Sequence, residues 1–126
     1  MISSRRFHVV LDVINCDDEH LSSQYFLEGI IKTIAEEIDM KIIAGPYVVE
    51  GIIDNPGLSA FAVIDYSHIA IHTFTKTGEL CLDVFSCKQF DYKKLYEFVR
   101  EILGVEDKDI RRAVVTYNGR PRLEKK

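Results

Sequence analysis

Apolar and polar residues alternate along most of this chain, and in two places the alternation gives way to an apolar residue at every third or fourth position. Alternation marks a half-buried strand, and the longer period marks one face of a helix. Phe7 to Ile14, rich in β-branched and aromatic residues, reads as the first strand. Cys16-Asp17-Asp18 then gives a turn and a helix start signal, and Phe26, Ile30, Ile34 and Ile38, with Leu27 and Ile31 beside them, form one helix face. Lys41 to Ile43 and Tyr47 to Ile53 are strand candidates broken by Gly45-Pro46, and Asp54-Asn55-Pro56-Gly57 is a turn signal. Ser59 to Asp65, His68 to Phe74 and Leu80 to Ser86 follow as short strands, the last two joined through Lys76-Thr77-Gly78 as a hairpin. A second helix starts at Asp91 as N-cap, buries Leu95, Phe98, Val99 and Ile102, and stops at Gly104. Ala113 to Tyr117 closes the sheet.

The order strand, helix, strands, helix, strand predicts an α+β fold: a two-layer sandwich with a largely antiparallel sheet and both helices on one face. The other face must be covered or wet. An apolar second face would be covered by another copy, so a homodimer is expected.

Composition narrows the class. At 126 residues the chain fits a single domain, residues 1–126, and a domain of this size buries roughly two thirds of its unfolded surface. With 16 basic against 20 acidic residues the net charge is −4, so no global field attracts a polyanion and no nucleic-acid partner is expected. The basic residues near the end, Arg111, Arg112, Arg120, Arg122, Lys125 and Lys126, read as a solvated, frayed terminus. No apolar run approaches the ~18 residues of a membrane span, and Met1 to Arg6 lacks a signal peptide's apolar stretch. Cys16, Cys81 and Cys87 are odd in number and show no CxxC spacing, which suits a reducing, cytoplasmic setting.

Three reactive side chains lie at suggestive spacings: Ser67, then His72 five residues later, then Cys87 at the end of the next apolar run. Alternation puts His68, Ala70, His72 and Phe74 on one face of their strand, and Cys81, Asp83, Phe85 and Cys87 on one face of the next. His68 and His72 are roughly 13 Å apart at the usual strand rise, too far to share a metal ion, and no metal site is expected. Taken singly, His72 is the hydrogen-bonded histidine of a strand, Cys87 a small buried hydrophobe, and Ser59 and Ser67 turn residues. Their joint spacing is what points to chemistry.

In the early strand ending in Cys16-Asp17, the Gly57-Leu58-Ser59 turn, Ser67-His68 with Ile71-His72-Thr73, and Asp83-Val84-Phe85-Ser86-Cys87, the chain resembles the short prokaryotic S-adenosylmethionine decarboxylase proenzymes. The resemblance runs from about His8 to Tyr117. It implies self-cleavage between Tyr66 and Ser67, with Ser67 the cleavage-site serine and precursor of a pyruvoyl cofactor. It further implies that His72 is the processing acid/base, Cys87 the catalytic proton donor and Ser59 a processing helper. In that chemistry Ser67 Oγ attacks the Tyr66 carbonyl, the peptide becomes an ester, and removal of the serine Cα proton expels the carboxylate. The dehydroalanine left behind tautomerises and hydrolyses to a pyruvoyl group and ammonia. The pyruvoyl carbonyl then condenses with a substrate amine and takes the electrons released with carbon dioxide, a role that pyridoxal phosphate fills elsewhere. No external cofactor is called for.

The chain departs from the family pattern at two places. Tyr66 stands where glutamate usually precedes the serine, and Ile53 stands where an aromatic ring usually stacks on adenine. Three readings therefore stay open. The first is a decarboxylase acting on the small molecule S-adenosylmethionine for polyamine (spermidine) synthesis. The second is a pyruvoyl-dependent arginine or ornithine decarboxylase on the same scaffold, in which Glu50 and Asp54 would pair with a cationic side chain. The third is an unprocessed regulatory homologue.

Overall fold

The computed structural model describes residues 5–119; Arg120, Arg122, Lys125 and Lys126 of the expected basic terminus lie outside the described residues. The elements run β1 (Phe7–Val13), α1 (Asp18–Leu21), α2 (Gln24–Glu37), β2 (Ile42–Ile52), β3 (Asn55–Ile64), β4 (Ser67–Phe74), β5 (Glu79–Ser86), α3 (Tyr92–Leu103) and β6 (Ile110–Val114), with a 3-10 turn at Asp107–Asp109 before β6. The six strands form one sheet in the order β2-β3-β4-β5-β1-β6. Every neighbouring pair is antiparallel. The expected α+β sandwich is therefore the observed one, with an added single-turn helix, α1.

The core lies on one side of the sheet. Strict alternation in β1 and β5 buries Val9, Leu11 and Val13 from the first and Leu80, Leu82 and Val84 from the second. Ile69 and Ile71 of β4 join them, and Leu27, Ile30, Ile31, Ile34 and Ala35 of α2 pack from above. Each such Val, Leu or Ile side chain contributes roughly 1.5–3 kcal/mol by leaving water. Thr73 is buried among them, yet its hydroxyl donates to Leu21 O at 2.8 Å and accepts from Leu58 N at 2.9 Å. That one side chain ties the end of α1 and the start of β3 to β4.

The start signal at Asp17 opens only the short α1, and the long helix α2 begins later, at Gln24, whereas α3 begins from Asp91 as N-cap, as expected. Ser23 caps α2 by accepting from Phe26 N, and Asp91 caps α3 by accepting from Lys93 N and Lys94 N. Gly104 ends α3 at φ 66°, a left-handed position that suits glycine. The buried stripe of α3 is rotated from the expected one: Leu95, Tyr96, Val99 and Leu103 are buried, Phe98 is half-buried and Ile102 is exposed. Phe98 and Ile102 instead edge an open groove with Phe26 and Ile30 of α2. Which flank of the helix meets the sheet is set by packing that a single helix's periodicity cannot encode.

Three strand boundaries also differ. β2 runs unbroken past Gly45-Pro46, its pairing with β3 shifting register between Ala44 and Tyr47. A bulge accommodates an extra residue without ending a strand. The β2–β3 turn is the two residues Ile53 and Asp54, so Asn55, Pro56 and Gly57 belong to β3. The last strand is Ile110–Val114 instead of Ala113 to Tyr117, because the turn at Asp107–Asp109 delivers the chain to the sheet earlier. Arg111 and Arg112, expected in a solvated, frayed terminus, lie instead in β6, because an edge strand tolerates charge. Arg111 donates to Asp12, and the Arg112 guanidinium lies 4.1 Å from the centre of the Tyr96 ring.

Candidate active site

The face of the sheet away from the helices carries the polar chemistry. Strand register sets two of its rows: Ser59, His72, Cys81, Asp12 and Arg111 lie opposite one another across β3, β4, β5, β1 and β6, and Val63, His68, Phe85 and His8 do so nearer the other end. Asp83, Phe85 and Cys87 share that face by alternation along β5 and its continuation.

At one end of this face the β3–β4 turn carries the Tyr66–Ser67 bond. Ile64 pairs with Ser67, leaving only Asp65 and Tyr66 in the turn. Asp65 N donates to Lys41 O at 2.9 Å, and the Asp65 carboxylate accepts from Lys41 N at 3.0 Å. The Lys88 ammonium sits 5.0 Å from the centre of the Tyr66 ring. Cys87 N donates to Tyr66 O, the carbonyl of that same bond, at 3.0 Å. Cys87 is itself bracketed by Ser86, whose buried hydroxyl accepts from Lys88 N at 2.8 Å and donates to Lys88 O at 2.7 Å. Ser67 has φ 151°, a conformation that L residues rarely adopt and that raises the energy of the intact chain at this point.

The Cys87 N–H on the Tyr66 carbonyl is an arrangement able to polarise that bond. A backbone N–H on a carbonyl oxygen polarises its carbon and stabilises the negative charge that gathers on oxygen as a nucleophile adds. Ser67 supplies the hydroxyl, and the Cys87 thiol lies on the adjoining strand end. The residues present thus fit a pyruvoyl group made from Ser67, with Cys87 and His68 as its flanking residues.

Ser59 and His72 form a second cluster, Ser59 Oγ to His72 Nδ1 at 2.8 Å. The structure does not bring it to Ser67. His72 lies five residues along the same strand, roughly 16 Å away at the usual rise, so the two residues sit at opposite ends of β4. Glu50, Ile53 and Asp54 are exposed at or near the β2–β3 turn, beyond Ser59, and Ile53 is 92% exposed. They belong to the His72 end.

Two of the cysteines are held as thiols. Burial, then the charges of Asp109 and Glu79, pushes Cys16 up to about 11. Burial, then Asp12 and Asp83, raises Cys81. Among the described residues no group of three or more His, Cys, Asp or Glu side chains is placed to hold a metal ion, and no helix is long and apolar enough to cross a membrane.

Sequence reasoning missed Ser86, which fixes Cys87, and the grouping of His8 with Asp83. Alternation had put Asp83 on the right face, but the partner strand of β5 is β1, more than sixty positions away, and nothing local in the sequence specifies that pairing.

The family model for S-adenosylmethionine decarboxylase matches residues 7–114. An S-adenosylmethionine decarboxylase proenzyme of Clostridium botulinum (strain Langeland) is 30% identical over 113 residues, covering 86% of this chain and 95% of the relative. One of Geobacillus kaustophilus is 28% identical over 105 residues, covering 81% and 80%. The crystal structure of the adenosylmethionine decarboxylase from Aquifex aeolicus superposes with a TM-score of 0.73 over 98% of this chain and 97% of its own, at 18% identity, a likeness of fold. On the extent of the family match and the near full-length relatives, the chain belongs to the S-adenosylmethionine decarboxylase family.

Proposed function

We propose that this protein cleaves itself between Tyr66 and Ser67, turns Ser67 into a pyruvoyl group, and decarboxylates S-adenosylmethionine in the cytoplasm as a homodimer, supplying polyamine (spermidine) synthesis. The observation that carries the reading is the Tyr66–Ser67 bond itself: a strained serine whose preceding carbonyl accepts the Cys87 N–H.

In self-processing, Ser67 Oγ bonds to the Tyr66 carbonyl carbon, the Cys87 N–H stabilises the charge on its oxygen, and the C–N bond breaks to leave an ester and a free amine. A base removes the Ser67 Cα proton. The ester C–O bond then breaks and Tyr66 leaves as a carboxylate, after which water replaces the nitrogen, released as ammonia. The pyruvoyl group supplies an electron sink for the charge left when carbon dioxide departs. Cys87, fixed by Ser86 beside residue 67, donates the proton that replaces the lost carboxylate.

The separation of His72 from Ser67 within one chain supports the homodimer. A twofold-related copy lying face to face on this sheet would bring its own Ser59–His72 pair to Ser67, and the arrangement would repeat at the second site. The same face exposes Tyr47 and Phe61, at 55% and 43%, apolar area that a second copy would cover. Each site would then hold Ser67 and Cys87 from one copy and Ser59 and His72 from the other.

One observation favours a second substrate. Ile53 offers no ring to a purine, while Glu50 and Asp54 expose carboxylates near the same turn, which suits the cationic side chain of arginine or ornithine. Intact-mass measurement of purified protein, followed by carbon dioxide release from S-adenosylmethionine, arginine and ornithine, tests the proposal. The expected result is two fragments and release from S-adenosylmethionine. Release only from an amino acid favours the second reading, and a single uncleaved species after long incubation favours an unprocessed regulatory homologue.

A further inference from the structure

The open face holds a side-chain cluster that the proposed chemistry leaves unused. His8 Nε2 lies 2.5 Å from Asp83 Oδ1, and His68 Nε2 lies 3.6 Å from Asp83 Oδ2. One carboxylate thus hydrogen-bonds one imidazole and lies within ion-pair distance of the other. Phe85 packs against both, edge-on to His8 at 5.2 Å between ring centres and stacked on His68 at 5.6 Å. Tyr117 Oη lies 3.5 Å from His8 Nδ1, on the far side of that ring. All three polar side chains are partly accessible, so a small molecule on this face can meet them.

The place of the cluster gives it a use. His68 directly follows Ser67, so its backbone nitrogen carries whatever group residue 67 becomes. Asp83 Oδ2 faces the imidazole at Nε2, within ion-pair distance, which leaves Nδ1, the nitrogen nearer its own backbone, turned away from that carboxylate. A carboxylate that fixes one ring nitrogen orients the ring and supports the positive charge formed when the other takes a proton, the logic of a base held by a third group.

We propose that His68 is a further catalytic residue, moving protons at the residue-67 carbonyl when a substrate amine condenses with it, and that Asp83 and His8 are its positioning residues. The inference rests on the self-cleavage reading above. In the condensation the amine nitrogen bonds to the carbonyl carbon, the C–O bond breaks, and the oxygen departs as water carrying two protons from the nitrogen. His68 takes a proton from the nitrogen and returns it to the departing oxygen, so no other reactant is needed. The ligand class is a primary amine, whichever amino acid derivative carries it.

Hydroxylamine undergoes the same condensation and serves as probe. Cleaved protein is mixed with it, and labelling of the second fragment is followed by mass. His68→Ala should cleave as the wild type does and label at least about a hundredfold more slowly, the usual contribution of a positioned acid–base group. Added imidazole should restore part of that rate, which it would not do for a side chain with only a structural role. Asp83→Asn should label more slowly without imidazole rescue, since its own imidazole is still present. Labelling of His68→Ala at the wild-type rate overturns the inference, as does a loss that imidazole leaves unchanged. A His68→Ala chain that stays uncleaved also overturns it, by placing His68 in self-processing instead. Wild-type protein that neither cleaves nor labels overturns the self-cleavage reading and the inference with it, whereas cleaved wild type with an unaffected variant overturns the inference alone.

Discussion

Ser67 contributes a hydroxyl that the proposed reaction consumes, so Ser67→Ala should leave a single full-length chain that folds and releases no carbon dioxide. Mass spectrometry and circular dichroism check both halves of that statement. Cleavage at the same bond in this variant would exclude serine attack. Cys87 has two separable parts: its backbone N–H, which touches the Tyr66 carbonyl, and its thiol. Cys87→Ala keeps the first and removes the second, so it should still cleave, at least partly, while turnover falls by roughly a hundredfold or more for want of a positioned acid. Full activity would leave Cys87 the role of a half-buried small hydrophobe. The spacing of Ser59, Ser67, His72 and Cys87 was legible in the sequence because the family resemblance runs through those positions. Their division between the two ends of β4 follows from the same strand rise that sets His68 and His72 roughly 13 Å apart, whereas the contact of Cys87 N with Tyr66 O needed the fold. The His8–Asp83–His68 cluster was hidden for a different reason: it depends on which strand lies beside β5.

Gly57 shows how an element, and not a side chain, can set the chemistry. A Cβ built there would stand 1.9 Å from Thr73 O, and its φ is 146°. Gly57→Ala should therefore push the start of β3 off the end of β4. Its signature should be a lower Tm together with impaired cleavage, because the pushed segment carries Ser59 to His72. A variant with unchanged melting would show that the hairpin yields easily. At the other edge of the sheet, Asp109 accepts from Glu106 N at 3.0 Å and from Asn15 Nδ2 at 2.9 Å, joining the chain after β1 to the turn before β6. The Glu106 N–H and the Asn15 amide hold its carboxyl below the usual carboxylate range. A depressed carboxyl stabilises the fold above its unfolded value, and the contribution is lost as pH falls through the folded one. Asp109→Asn should accordingly lower Tm at neutral pH, with the gap to wild type closing as the solution is acidified. A gap that is constant with pH would assign the effect to shape alone. Strands and helices were legible wherever one face is buried, as in β1, β5 and α2, because period and burial then coincide. They were misjudged at β6 and at Gly45-Pro46, where an edge position and a bulge relax the pattern.

The layer arrangement of the whole molecule was legible, since one apolar helix face and one apolar sheet face leave a single way to bury both. A homodimer was expected, but a division of one site between two copies was not legible, because a polar row on a sheet face looks the same in a sequence whether solvent or another copy covers it. Co-expression of two damaged chains settles the matter. Ser67→Ala lacks the nucleophile and retains His72; His72→Ala retains Ser67 and lacks the base. Each alone should remain uncleaved. If the site draws Ser67 from one copy and His72 from the other, a mixed dimer contains one intact site, at which the His72→Ala chain is cut while its partner stays whole. Tagging the two chains differently lets mass spectrometry read which was cut, and sedimentation reads whether both copies are in one particle. If His72 instead served its own Ser67, neither chain could be cut in any pairing, because every chain would lack one of the two groups. Cleavage confined to the His72→Ala chain is the expected outcome, and the roughly 16 Å between the two residues along β4 is its physical reason.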